Sequence, residues 1–199
     1  MTKNMISELV CTRLSHDIAG SIGAVANAVE LLEEGDLDFL DDIKSVLKTS
    51  SQNLAARMKF FRMAFGLNNA LLDDAALVTQ TAQNYLATLG NKDYPISLSF
   101  QVSAAAGRKT ALLMIMAAAD LLIRGGKINV FENGGQLVAE ITADGKIPEE
   151  KYAKMQQAAT VTTVSADADA AFVPLYALAE NGHKSCFYRS DDIIQLVTE

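Results

Sequence analysis

Basic charge is in short supply in this 199-residue chain: 17 Lys and Arg face 24 Asp and Glu, a net charge of −7. That balance argues against a nucleic-acid backbone as partner. Cysteine is scarce as well. Cys11 and Cys186 lie far apart, with no metal-like spacing and no framework of bridges, so two reduced thiols in the cytoplasm are expected. Long apolar runs are missing. The strongest, Ala111 to Ile123, is interrupted by Asp120 and bounded by Arg108, Lys109 and Arg124. It is too short to span a bilayer and reads as a buried helix. No segment combines a basic start, an apolar stretch and a small-residue cleavage site, so no secretory signal is expected. Histidine occurs only twice, at His16 and His183. Half of the residues are apolar, so disorder is disfavoured and a core can form.

Met5 to Glu34 contains no proline and reads as one long helix. Wound at about 100° per residue, it gathers Val10, Leu14, Ile18, Val25, Val29 and Leu32 into one apolar stripe. Gly35 ends it, and Asp36 or Asp38 can cap a second helix that closes near Gly66. Asp41 and Asp42 suit the positive end of that helix, and Arg57, Lys59 and Arg62 its negative end. The short connection makes the two an antiparallel αα-hairpin.

Two helices cannot cover their own apolar faces. The expected solution is a four-helix bundle completed by a second copy in a two-fold dimer; the alternative is that the hairpin folds back on the rest of the chain. From Asp73 the texture changes to mixed helices and strands. Helices are expected over 74–89, 108–124, 148–158 and 167–180, and strands over 96–102, 128–132, 136–142, 185–188 and 193–197. Asn133-Gly134-Gly135 reads as a hairpin turn. The fold class is therefore α+β: a helical hairpin over 1–68, then a sandwich over 69–199 with helices on one face of a sheet.

His16 lies opposite the apolar stripe and should face outward. Thr12, Ala19, Gly20, Gly23, Ala26 and Asn27 share its side, which is nearly bare of bulk. Each interior glycine costs a helix about 1 kcal/mol relative to alanine, so the pair needs a compensation. Small residues let another helix pack closely, or they let a partner bring a reactive group to the imidazole. Asp17 can hold one ring nitrogen and leave the other free as a nucleophile, or can be a solvated carboxylate. Folding the hairpin brings Arg57 and Phe60 level with His16. Arg57 suits a phosphoryl group there, or compensates the helix dipole. His183 reads as a loop residue in the turn after Asn181-Gly182.

The segments Leu14-Ser15-His16-Asp17, Gly23-Ala24, Asn27 and Glu30-Leu31-Leu32 resemble the dimerisation and phosphotransfer helix of histidine kinases. With Arg57-Met58-Lys59-Phe60-Phe61-Arg62-Met63-Ala64-Phe65-Gly66 they resemble, in particular, alphaproteobacterial histidine phosphotransferases of the ChpT type. One departure stands out. Such proteins usually carry proline five residues after the histidine, whereas this chain has Ser21 preceded by Gly20, a pair that can also bend a helix.

The resemblance implies that His16 is the phosphoacceptor, assisted by Asp17, with Arg13, Ala19, Gly20, Gly23, Asn27, Arg57 and Phe60 as docking residues. It implies a cytoplasmic homodimer that meets the receiver domain of a hybrid histidine kinase and those of response regulators, with neither nucleic acid nor membrane as partner. It further implies an ATPase-like C-terminal part that binds no nucleotide, any Mg²⁺ belonging to the receiver. The sequence agrees: the 108–124 helix offers Asp120 where an Asn would hold the metal. Asp144-Gly145-Lys146-Ile147-Pro148 has one Asp-Gly and no second glycine. A non-catalytic dimeric scaffold and a kinase with a divergent nucleotide pocket are the competing readings.

Overall fold

The computed structural model describes residues 2–35, 39–67 and 69–198. Helix α1 (Thr2–Glu33) runs without a break through Gly20-Ser21. Gly35 ends it with φ +77°, a left-handed conformation that glycine takes without a Cβ penalty. The expected caps Asp36 and Asp38 lie outside the described residues. Helix α2 (Leu40–Phe65) carries Asp41 and Asp42 in its first turn and Arg62 in its last, each complementing the helix dipole.

A 3₁₀ turn over Asn69–Leu72 leads to α3 (Ala75–Ala87), capped by the Asp74 carboxylate on the Leu77 N–H. The rest is β1 (Ile96–Gln101), α4 (Ala105–Ala119), β2 (Gly126–Asn133), β3 (Gln136–Ala143), α5 (Glu149–Ala159), α6 (Val173–Glu180), β4 (Ser185–Ser190) and β5 (Ile193–Thr198). The class is α+β, as the sequence indicates.

The strands form one sheet in the order β1-β2-β3-β5-β4, with β1 parallel to β2 and every other pair antiparallel. Gly134 and Gly135, at φ +59° and +86°, make the two-residue turn between β2 and β3, a geometry that needs left-handed backbone twice. Gly125 and Gly126 are equally constrained. A Cβ on Gly126 would lie 2.2 Å from the Thr142 carbonyl, and one on Gly125 would lie 2.6 Å from that of Pro95. One sheet face presents Ile128, Val130, Ala139, Ile141, Ile194 and Leu196, all buried. Against it lies α4, in which every residue from Ala111 to Ala118 is fully buried. Each such Leu, Ile or Met side chain contributes about 1.5–3 kcal/mol of transfer free energy. The opposite face is mixed: Gln195 and Asn129 donate to Glu140 at 2.9 and 3.4 Å, and Phe131, Val138 and Val197 stand in register beside them.

Hairpin and sandwich share one core. Phe60, Phe61, Met63 and Ala64 of α2 are buried in the cluster that holds Tyr85 of α3 and the α4 side chains. Ile6, Leu9, Val10 and Leu14 of α1 pack against the same cluster. The half of the hairpin beside the sandwich is thus folded back onto it. The distal half leaves Ile22, Val29 and Leu32 of α1 and Val46 of α2 exposed.

Candidate functional site

The site is built on the middle turns of α1. The His16 side chain is 85% exposed, and its Nδ1 lies 3.3 Å from Asp17 Oδ1. Nε2 has no hydrogen-bond partner among the described residues. Ala19, Gly20, Gly23, Ala26 and Asn27 are all exposed beside it. A Cβ on Gly20 or Gly23 would meet nothing within 4 Å, so no neighbour among the described residues requires those glycines. The cleared strip expected from the sequence is present.

Asp17 is not a solvated carboxylate. Its side chain is only 10% exposed, and its Oδ2 accepts from Arg13 Nε at 2.9 Å, an i, i+4 pair along α1. Arg13 in turn reaches across to the sandwich. Its Nη2 and Nη1 donate to Asp120 Oδ1 and Oδ2 at 2.8 and 3.1 Å, and Nη1 also donates to the Ala171 carbonyl at 2.8 Å. Burial works against the charged guanidinium, but the hydrogen bonds and charges of Asp120 and Asp17 outweigh it and raise its pKa. Burial pushes the Asp120 carboxyl upward, with Arg13 opposing. Arg13 is therefore a buried bridge between hairpin and sandwich rather than a surface docking residue.

Arg57 also differs from expectation. Its Nε and Nη2 donate to Thr88 Oγ1 and the Thr88 carbonyl at 3.0 and 2.9 Å, and its Nη1 donates to the Asp17 carbonyl. All three guanidinium nitrogens are engaged in tying α1 and α2 to the end of α3. Phe60 is fully buried and stacks on Tyr85 with ring centroids 3.9 Å apart and planes 11° apart, because α3 covers the α2 face that a lone hairpin would leave to solvent. It is a core residue. His183 is a loop residue, as the sequence indicates, and its Nε2 lies 2.9 Å from Thr110 Oγ1.

Asp120, Thr88 and the Ala171 carbonyl escaped the sequence reading as parts of this site. A signal existed for the first. A single carboxylate inside an otherwise apolar run is buried only with a partner, so Asp120 announced a buried cation. Nothing local pointed to Thr88 or Ala171. No group of His, Cys, Asp or Glu suited to a metal ion occurs among the described residues. None of their helices is long and apolar enough to cross a membrane.

This arrangement defines a class: an antiparallel helical hairpin with an exposed imidazole and an orienting carboxylate, joined to an α/β sandwich. No protein family model matches the chain. Protein phosphotransferase ChpT of Brucella abortus (strain 2308) is 44% identical over 61 residues, which are 31% of this chain and 28% of that protein's length. A solved bacterial phosphotransferase superposes over 100% of this chain and 98% of its own, with a TM-score of 0.75 and 25% identity. The resemblance to ChpT-type bacterial phosphotransferases thus holds in sequence over part of the chain and in fold over the whole.

Proposed function

We propose that the chain is a histidine phosphotransferase that carries a phosphoryl group between receiver-domain aspartates in a phosphorelay. The observation that carries this reading is the His16 imidazole, solvent-facing on a strip without bulk, with Nδ1 at Asp17 and Nε2 free. In the reaction, neutral His16 carries its proton on Nδ1, where Asp17 accepts it. The Nε2 lone pair attacks the phosphorus of an aspartyl phosphate. The Nε2–P bond forms, the acyl P–O bond breaks, and the receiver aspartate leaves as a carboxylate. The ring becomes cationic, and Asp17 stabilises it. A second receiver's aspartate attacks the same phosphorus in the reverse sense. Most of the acceleration comes from positioning and charge neutralisation, with Mg²⁺ held by the receiver.

The protein acts in the cytoplasm as a homodimer. Exposed Ile22, Val29, Leu32 and Val46 supply the apolar surface for the second hairpin. It does not phosphorylate itself from ATP, since Asp120, at the end of the helix where a nucleotide-binding relative would hold its metal, is committed to Arg13. The deciding experiment incubates the protein with labelled ATP alone and with a phosphorylated receiver domain. Label should arrive only from the receiver and should vanish in His16→Ala, whose light-scattering mass should stay at twice 21.3 kDa. Label from ATP alone would make the protein a kinase, and no label from either donor would leave a scaffold.

A further inference from the structure

The phosphotransfer reading uses His16 and Asp17. It leaves unexplained why a buried arginine joins Asp17 to the sandwich. The connection is continuous. From the turn after α4, Asp120 grips Arg13 with both carboxylate oxygens at 2.8 and 3.1 Å. Arg13 holds Asp17 Oδ2 at 2.9 Å, and Asp17 presents its other oxygen to His16 Nδ1 at 3.3 Å. Only the last member is open to solvent: the Asp120 side chain is 20% exposed, Arg13 and Asp17 10% each, and His16 85%. Both faces of the helical turn are fixed, since Arg57 donates to the backbone carbonyl of Asp17 while Arg13 holds its side chain.

Resting on the phosphotransfer reading, we infer that Asp120 and Arg13 are positioning residues. The sandwich, through them, aims the Asp17 carboxylate and so fixes the proton of His16 on Nδ1 and the nucleophilic lone pair on Nε2.

The physical reasoning is specific. A carboxylate on a helix surface has free rotation about its side-chain torsions. At Asp17 the Nε–H of Arg13 on Oδ2 restricts that freedom, and the two-oxygen grip of Asp120 on Nη1 and Nη2 keeps the guanidinium from swinging away. Asp120 also sets the charge. With it, Arg13 stands between two carboxylates, and Asp17 keeps enough negative charge to accept from the ring and to stabilise the cationic product. Without it, the full guanidinium charge falls on Asp17 alone and weakens its hold on Nδ1–H. The ionisable groups facing the cluster are Arg13 and Asp17 of α1, Arg57 of α2, Tyr85 of α3, Asp120, and Lys151 of α5. The Tyr85 hydroxyl is buried there without a hydrogen-bond partner among the described residues.

The test uses the full-length protein and two variants. Asp120→Asn keeps the shape and one acceptor for Arg13; Arg13→Lys keeps the charge and loses the fork. Nitrogen NMR of the imidazole reads the His16 tautomer across a pH titration. Phosphorylation by phosphoramidate, a small-molecule donor, reads nucleophilicity without any partner. The wild type should hold the proton on Nδ1. Each variant should shift the population toward Nε2–H and slow phosphorylation about tenfold at the pH plateau. Far-ultraviolet circular dichroism checks that the variants are folded, and if Arg13→Lys unfolds, Asp120→Asn alone decides. An unchanged tautomer and rate in folded Asp120→Asn would overturn the inference. Failure of the wild type to accept phosphate from a receiver, with the tautomer shift present, would overturn the phosphotransfer reading instead.

Discussion

Gly20 and Gly23 sit in the interior of a 32-residue helix with ordinary helical backbone and no neighbour where a Cβ would go. Replacing both by alanine should therefore stabilise the isolated fold. Each change removes backbone freedom from the unfolded chain and adds a methyl to open space, worth about 1 kcal/mol per site. Together they give about 2 kcal/mol, which for a protein of this size raises Tm by roughly 4–8 °C. Urea denaturation followed by circular dichroism, with an unchanged m-value, measures the gain. The same strip is where a receiver would approach His16. Gly20→Leu should leave the fold intact yet weaken receiver binding by about tenfold or more, the consequence of overpacking a close contact by 1–3 kcal/mol. A loss of stability in the double alanine variant would refute this reasoning. It would mean that a second copy of the chain packs against the strip and that the glycines serve that seam.

Two further perturbations probe the supports of the site. Phe60→Ala removes a fully buried ring stacked on Tyr85 and should cost about 3–5 kcal/mol in urea unfolding; a cost below about 1 kcal/mol would contradict its place in the core. Ser21→Pro deletes the N–H that faces the Asp17 carbonyl in the helix ladder, a loss that elsewhere costs about 3 kcal/mol. Arg57 already donates to that carbonyl, so either Ser21→Pro or Arg57→Ala alone leaves it one partner. The double variant should be worse than the sum of the singles by about 1 kcal/mol, and strict additivity in the cycle would show that the two donors are not alternatives.

Much of this fold is legible because local signals decide it. Gly35, Gly125-Gly126 and Gly134-Gly135 each mark a backbone reversal that needs φ above zero, and each falls where the sequence places a break. Errors arise where a distant residue decides. The helix expected from Arg108 begins at Ala105, because Glu132 of β2 accepts from the Ala104 N–H at 3.2 Å and from Ser103 Oγ at 2.8 Å. The 167–180 helix is shortened to 173–180. Asp169 instead caps a 3₁₀ turn at Ala171 N–H, and Pro174 opens the true helix. A helical wheel identifies faces but not what lies on them. It places His16 and the small residues correctly in the open, whereas folding the hairpin alone sets Phe60 beside His16 as a docking residue, because that picture contains no α3. The docking role expected of Arg13 fails for the same reason: its partner Asp120 is 107 residues away.

That long-range pair also bears on what the sandwich is for. Burying an arginine and an aspartate together incurs a desolvation cost that offsets most of their attraction, so well-packed apolar side chains would hold hairpin and sandwich together as firmly. The shared core already does so through Phe60, Phe61 and Met63. Cohesion is therefore not what the Arg13–Asp120 pair adds. An apolar pair has no donor for Asp17, and it leaves that carboxylate free to turn away from the imidazole. The Nε–H of Arg13, held in place from the sandwich, gives a side chain on an exposed helix the single orientation that the proposed phosphoryl transfer at Nε2 requires.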